Sequence, residues 1–231
     1  MDLFGVFSDM AATTLIAATL IILFAGFVKG AVGFAMPMIM ISGLGSILPP
    51  ETALAALIVP TLVTNIRQAS RGGWAAAWQS VKDYRVFLIA MLILLVLSAQ
   101  LVGVISSKAL FLVIGVPLVA FAVLQLAGFA LRLDPENRTR DEALMGGFAG
   151  FLGGMSGIWG PPTVMYLTAT DAPKSAAMRV QGVIYGIGSI ALLLAHLRSG
   201  VLNPSTLPLS TASVGTALIG MWIGFKLHDR M

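Results

Sequence analysis

The sequence contains no cysteine and only two histidines, His196 and His228. The lack of cysteine excludes disulfides, thiol nucleophiles, cysteine-ligated zinc and iron–sulfur clusters. Both histidines stand next to a predicted helix end, so a histidine-based metal site is not expected either. We therefore predict a protein that uses neither a metal nor a cofactor.

Charge is also scarce. Only 10% of the 231 residues are charged, whereas a soluble domain carries about 25%. The apolar runs contain almost no carboxylates, and the sequence shows no paired acids, no Ser/His/Asp set and no phosphate-binding loop, so an enzyme is not expected. The pI of about 9.8 does not indicate nucleic-acid binding, because the basic residues lie in loops beside apolar segments, as membrane topology favours.

Long apolar runs make up most of the chain, which is 58% hydrophobic with a mean hydropathy of +0.94. Runs of 18 or more apolar residues predict transmembrane helices, so we expect an all-α polytopic protein in a lipid bilayer. The predicted apolar segments are 10–41, 52–66, 86–106, 109–131, 143–169, 180–197 and 206–227. The polar stretches between them are predicted to be short loops.

An internal repeat appears when the sequence is shifted by 124 residues. Eight identities fall within 29 ungapped positions: Ala25, Gly26, Phe27, Gly30, Gly33, Pro37, Pro49 and Ala53 align with Ala149, Gly150, Phe151, Gly154, Gly157, Pro161, Pro173 and Ala177. Internal repeats are frequent in secondary transporters. We predict repeat one at 10–105, a single connecting helix at 109–131 and repeat two at 143–227, all in one transmembrane domain.

The glycine-rich start of each repeat can be interpreted in two ways, as a spanning helix or as a hairpin with two arms of 16 to 18 residues. Spanning helices would divide the basic loop residues 8 to 5 between the two sides and make the repeats parallel. Hairpins would divide them 11 to 2, with only Lys108 and Arg198 on the minor side, and would invert the second repeat. Positive residues concentrate in the cytoplasm, which favours hairpins, inverted repeats, a periplasmic N-terminus and a cytoplasmic C-terminus.

The two hairpin turns are expected to meet and to form an anion site. Pro37 and Pro161 suit the first turn of each returning helix, where free N–H groups and the positive end of the helix dipole favour an anion. Lys29 is the only basic residue deep within an apolar run. A charge there is costly, so we interpret it as part of a functional site. The alternative is a lysine that snorkels to the surface.

Further candidates are polar residues of the apolar segments and residues of the two glycine-rich stretches. Helical spacing places Thr61 and Asn65 on one face, and Gln181 and Tyr185 on another. For each polar residue, a helix–helix hydrogen bond is the competing role. The remaining candidates for contact with the substrate are Gly30, Gly33, Ser156, Gly157 and Trp159.

The two motifs AGFVKGAVGFAMP and AGFLGGMSGIWGP together resemble the TauE/SafE sulfite exporter family, over nearly the whole chain. That resemblance implies transport of small sulfur-containing anions, such as sulfite or organosulfonates, across a bacterial inner membrane. An anion channel with the same site and a membrane assembly factor without transport are the alternatives. The expected partners are the small anion and the bilayer, and a homodimer is left open.

Overall fold

The computed structural model describes residues 10–128, 137–172 and 174–230. Within these ranges the chain forms ten α-helices and one short 3₁₀ helix, and no strand, as the all-α prediction requires. The helices are α1 (Ala12–Val32), α2 (Met36–Gly45), α3 (Pro50–Ala69), α4 (Trp74–Asp83), α5 (Arg85–Ala99), α6 (Ser107–Leu126), α7 (Arg138–Ser156), α8 (Gly160–Ala169), α9 (Lys174–Ser199) and α10 (Leu207–His228). The end of the predicted connecting segment, residues 129–131, and Pro173 of the repeat lie outside the described residues.

Four of the described helices are long and apolar enough to cross a membrane. They cover Ala12–Val32, Ser107–Leu124, Ala176–Ser199 and Leu207–His228. Helices Met36–Gly45 and Arg85–Ala99 are apolar but shorter. These lengths and compositions are those of an integral membrane protein.

The glycine-rich stretches each separate a long helix from a short one. Helix α1 has 21 residues and α2 has 10, or about 31 Å and 15 Å at 1.5 Å per residue; α7 and α8 have 19 and 10. The expectation of two arms of 16 to 18 residues is therefore wrong, because each first helix continues to the residue before Gly33 or Gly157. Each short helix returns beside its long partner: a Cβ on Gly43 would lie 2.7 Å from Ile21, and the Tyr166 hydroxyl donates to Glu142 over 3.0 Å.

Helix α4 was not expected, because the sequence reading places loops between residues 67 and 85. Its apolar positions Trp74, Ala77, Trp78 and Val81 recur at helical spacing, and they face α3 and α9 across an open apolar groove. Trp74 and Trp78 are 68% and 62% exposed, as suits aromatic anchors at a membrane interface. The stretch is too polar and too short to read as a membrane span, which is why its helix escaped prediction.

Glycines bring two pairs of helices into backbone contact. A Cβ on Gly150 would lie 2.1 Å from the Met91 carbonyl oxygen, and one on Gly26 would lie 2.3 Å from that of Ala217. Along α7, glycines 146, 150 and 154 face the backbone of residues 87, 91 and 95; along α1, glycines 26 and 30 face residues 217 and 221. Residue numbers rise together in both pairs, so α7 runs parallel to α5, and α1 runs parallel to α10.

Helices α3 and α9 pack against each other in the opposite sense. Asn65 of α3 contacts Tyr185 and Ser189, whereas Gln68, one turn later, contacts Met178. The later residue of α3 thus meets the earlier part of α9, and the two helices are antiparallel. They carry most of the buried polar side chains described below.

Candidate functional site

The first break, residues 33–35, and the second break, residues 157–159, begin in the same way. Gly33 and Gly157 have φ of 87° and 71°, in the left-handed region that glycine adopts without steric cost. Each donates its N–H to the carbonyl four residues earlier, Lys29 at 2.8 Å and Gly153 at 2.7 Å. Both long helices therefore end in a left-handed cap.

The short helices begin with proline in the first turn, as predicted. Proline has no N–H, so Pro37 removes one donor from the start of α2, while Pro161 and Pro162 remove two from the start of α8. Gly160 is thus the one residue of the first three in α8 that can donate a backbone N–H. No side chain caps either helix, so no side-chain hydrogen bond occupies the remaining donors.

The two breaks meet around a small cavity. A Cβ on Gly160 would lie 3.4 Å from the Phe34 ring, and one on Gly157 would lie 3.9 Å from Pro37. The cavity is lined by Lys29, Phe34, Ala35, Pro37, Met38, Asn65, Gly157, Ile158, Trp159, Gly160 and Tyr185. It leaves about 10 Å³ for the centre of a water molecule, which is room for about one water.

Lys29 supplies the charge of this cavity. Its side chain is 1% exposed, so it does not snorkel to the surface of the chain. Its Nζ donates to Asn65 Oδ1, a neutral acceptor, and no carboxylate among the described residues pairs with it. A buried ammonium without a counter-charge is costly, so this position favours an anionic ligand.

The Asn65 side chain, which accepts the hydrogen bond from Lys29, is itself held in one orientation by hydrogen bonds. Its Nδ2 donates to the Tyr185 carbonyl at 2.9 Å and to Ser189 Oγ at 3.3 Å. Both partners lie on α9, and both accept, so the amide oxygen faces Lys29 on α1. Three helices are therefore joined at one side chain beside the cavity.

Six of the twelve predicted site residues line this cavity: Lys29, Pro37, Asn65, Gly157, Trp159 and Tyr185. The rings of Trp159 and Tyr185 lie 6.3 Å apart, and the Tyr185 hydroxyl donates to the Gly160 carbonyl at 3.4 Å. The second break is thus tied to α9 at the cavity wall.

Two more predicted residues meet beside the first break. A Cβ on Gly33 would lie 2.9 Å from Gln181 Oε1 and 3.4 Å from Gln68 Nε2. Gln181 Oε1 and Thr61 Oγ1 are buried without a hydrogen-bond partner among the described residues. Thr61 lies one turn before Asn65 on α3. Its hydroxyl is therefore an unpartnered polar group on the same helix as the amide that accepts from Lys29.

The structure does not bring Gly30, Ser156 and Pro161 to the cavity wall. Gly30 faces the backbone of α10, where a Cβ would lie 2.2 Å from the Met221 carbonyl oxygen. Ser156 Oγ donates to Leu152 at 2.6 Å and accepts from the Ile158 N–H at 3.1 Å, which stabilises the second break. Ser156 and Pro161 line a separate apolar cavity beside α6.

Sequence reasoning missed several polar residues around the breaks. Gln68 Nε2 donates to the Gly33 carbonyl at 2.9 Å, and His196 Nε2 lies 2.9 Å from the Gly154 carbonyl, so each long helix has a capped C-terminal end. Ser189, the partner of Asn65, is its equivalent in the 124-residue repeat. The alignment of the two repeats could therefore have identified Ser189. It gave no such indication for the capping side chains of Gln68 and His196.

The comparisons with known proteins agree with the two glycine-rich motifs. The family model described as "Sulfite exporter TauE/SafE" matches residues 18–231. No curated protein and no solved structure matched the chain. The matched region covers nearly the whole chain, including both breaks and every residue that lines the cavity, so the chain belongs to the TauE/SafE sulfite exporter family.

Proposed function

We propose that the protein is a secondary transporter of small sulfur-containing anions, such as sulfite or organosulfonates, in a bacterial inner membrane. The observation that carries the proposal is the buried ammonium of Lys29, which faces the cavity between the two breaks and has only a neutral amide as partner. Family membership supplies the sulfur chemistry of the ligand. The N-terminal ends of α2 and α8 line the same cavity without a side-chain cap, so their remaining backbone N–H groups add hydrogen-bond donors.

An inverted repeat is part of the proposal, and the packing of α3 and α9 supports it. These helices occupy equivalent positions in the 124-residue register, and the equivalent residues Asn65 and Ser189 bond to each other. Equivalent groups that touch lie beside the symmetry axis. Because the two helices are antiparallel, that axis is perpendicular to them, which is the relation expected of inverted rather than parallel repeats.

Contacts exchanged between the repeats support the same relation. Gly33 of repeat one approaches Gln181 of repeat two, while Gly157 of repeat two approaches Leu57 of repeat one. Leu57 is the equivalent of Gln181, so the same contact is made twice with the roles reversed. Gln181 is polar and Leu57 is apolar, so Gly33 at the first break has the more polar contact of the two.

The small size of the cavity favours a carrier over a channel. Room for about one water is too little for a sulfur oxyanion, so the helices around the breaks have to move apart to admit one. Movement of one repeat against the other around a fixed site is the usual mechanism of such folds. We therefore expect flux to saturate and to show counterflow.

Counterflow in proteoliposomes tests this function. Vesicles that contain the protein and unlabelled sulfite should accumulate external labelled sulfite transiently, and vesicles without the protein should not. A rate that rises linearly with concentration and shows no counterflow would indicate a channel. Absence of any sulfite or sulfonate flux would overturn the proposed function.

Single-cysteine labelling tests the orientation, because the chain has no native cysteine. The 11 to 2 division of basic residues predicts that positions in 67–85, 132–142 and 171–179 all face the cytoplasm; residues 132–136 and 173 of these loops lie outside the described residues. An impermeant thiol reagent added outside intact cells should miss all three. Labelling of 171–179 alone would support spanning first segments and parallel repeats.

A further inference from the structure

The net charge of the cavity is set by a single side chain. Lys29 is the one charged residue among the eleven that line it. Its equivalent in the second repeat is Gly153, so the pseudo-symmetric position carries no second ammonium. The other ionisable lining group is the phenol of Tyr185, which is neutral when it donates to the Gly160 carbonyl.

The helix ends at the two breaks contribute little net charge. Each helix N-terminus carries a partial charge of about +0.5, and each C-terminus about −0.5. Each break joins the C-terminal end of a long helix to the N-terminal start of a short one, so the two partial charges offset each other. Prolines further reduce the donors of α8, and the ammonium of Lys29 remains the net charge of the site.

Charged groups on the packed helices lie outside the cavity wall. Arg67 is exposed and stands two residues beyond Asn65, on the other side of α3. Arg71 pairs with Asp229 at 2.7 Å, and His228 Nδ1 lies 3.0 Å from the Ala31 carbonyl. None of these side chains is among the lining residues.

From this charge inventory we infer that the site selects singly charged sulfur oxyanions over doubly charged ones; the inference rests on the proposed function. A monoanion and the ammonium form a net-neutral pair. A dianion leaves one negative charge uncompensated in a low-dielectric environment, where the desolvation of ions is costly. The favoured ligand class is therefore a sulfonate or hydrogen sulfite rather than sulfate or the sulfite dianion.

Three ligands of similar shape separate charge from size. Dimethyl sulfone, methanesulfonate and sulfate share a tetrahedral sulfur and carry charges of 0, −1 and −2. Their affinities for the detergent-purified protein are measured by calorimetry at one mildly acidic pH, where all three ligands keep these charges, and at equal ionic strength. We expect methanesulfonate to bind at least about ten-fold more tightly than either of the others.

A nearly isosteric variant tests the origin of that preference. Asn65→Asp places a carboxylate beside the Lys29 ammonium and makes the site net neutral, so methanesulfonate should lose at least about ten-fold in affinity. The control Gln79→Glu makes the same chemical change on exposed α4 and should leave the affinities unaltered.

The possible results separate a failure of the inferred charge selectivity from a failure of the proposed transport function. Sulfate affinity equal to or higher than that of methanesulfonate would overturn the inference, while sulfite counterflow would still support the transporter. If none of the three ligands binds, the inference fails; if sulfite counterflow is absent as well, the proposed function fails with it. Unchanged methanesulfonate binding by a folded Asn65→Asp protein would also overturn the charge argument.

Discussion

Gly150→Ala should destabilise the protein through a single methyl group. The added Cβ would lie 2.1 Å from the Met91 carbonyl oxygen and 2.8 Å from its Cα. Both atoms belong to the backbone of α5, so no side-chain rotation relieves the contact and the helices must separate. Close approach at small residues is a main source of helix association in membranes.

The size of the effect follows from the cost of overpacking. Inserting a methyl group into a packed interior typically costs about 1–3 kcal/mol. A change of 1 kcal/mol shifts Tm by about 2–4 °C in a chain of this length, so Gly150→Ala should melt about 2–12 °C below wild type. Gly26→Ala should behave alike, since its Cβ would lie 2.3 Å from the Ala217 carbonyl oxygen.

The matched control is Gly215→Ala in α10. No atom lies within 4 Å of its added Cβ, and alanine in a helix interior is about 0.5–1 kcal/mol more favourable than glycine. Its Tm should therefore rise by about 1–4 °C in detergent melts followed by tryptophan fluorescence. If Gly150→Ala melts at or above wild type, the close backbone contact between α5 and α7 is refuted.

Two further stability predictions use the same melts. Ala35 has a left-handed φ of 75°, a conformation that costs an L-residue about 1–2 kcal/mol. Ala35→Gly should therefore hold or raise Tm, and Ala35→Val should lower it. The reverse order would contradict the backbone conformation at the first break. Tyr166→Phe removes a hydrogen bond to the Glu142 carboxylate worth about 1.5–3 kcal/mol. The Tm of Tyr166→Phe should fall by about 3–12 °C. The control is Tyr84→Phe, which should change Tm little because the Tyr84 hydroxyl has no hydrogen bond among the described residues. Equal shifts in the two variants would argue against the contact between α7 and α8.

The helices that the sequence could predict are those with a strong local signal. Continuous apolar runs mark α3 and α10 to within three residues, and they mark α5, α6 and α9 with ends that differ by up to seven residues. Membrane helices satisfy their own backbone and need only length and hydropathy. Pro37 and Pro161 marked the first turns of α2 and α8 for an equally local reason. The amphipathic α4 is shorter and owes its place to packing on α9, which no local pattern records.

The arm lengths at the breaks depend on tertiary contacts. Glycines 26 and 30 read as parts of a turn, yet they lie inside α1 because α10 packs closely on that face. A glycine-rich motif allows either a turn or a close helix contact, and only the partner helix decides between them. Gln68 and His196 were missed for the same reason, since their acceptors at the breaks are remote in sequence.

Binding of methanesulfonate to Lys29→Ala tests the central claim most directly. A hydrogen bond to a charged group is worth about 1.5–3 kcal/mol, so the variant should bind about 10- to 100-fold more weakly than wild type. Lys82→Ala, the same change on the exposed face of α4, should bind like wild type. A folded Lys29→Ala protein whose Kd for methanesulfonate equals that of Lys82→Ala would show that the buried ammonium does not hold the anion.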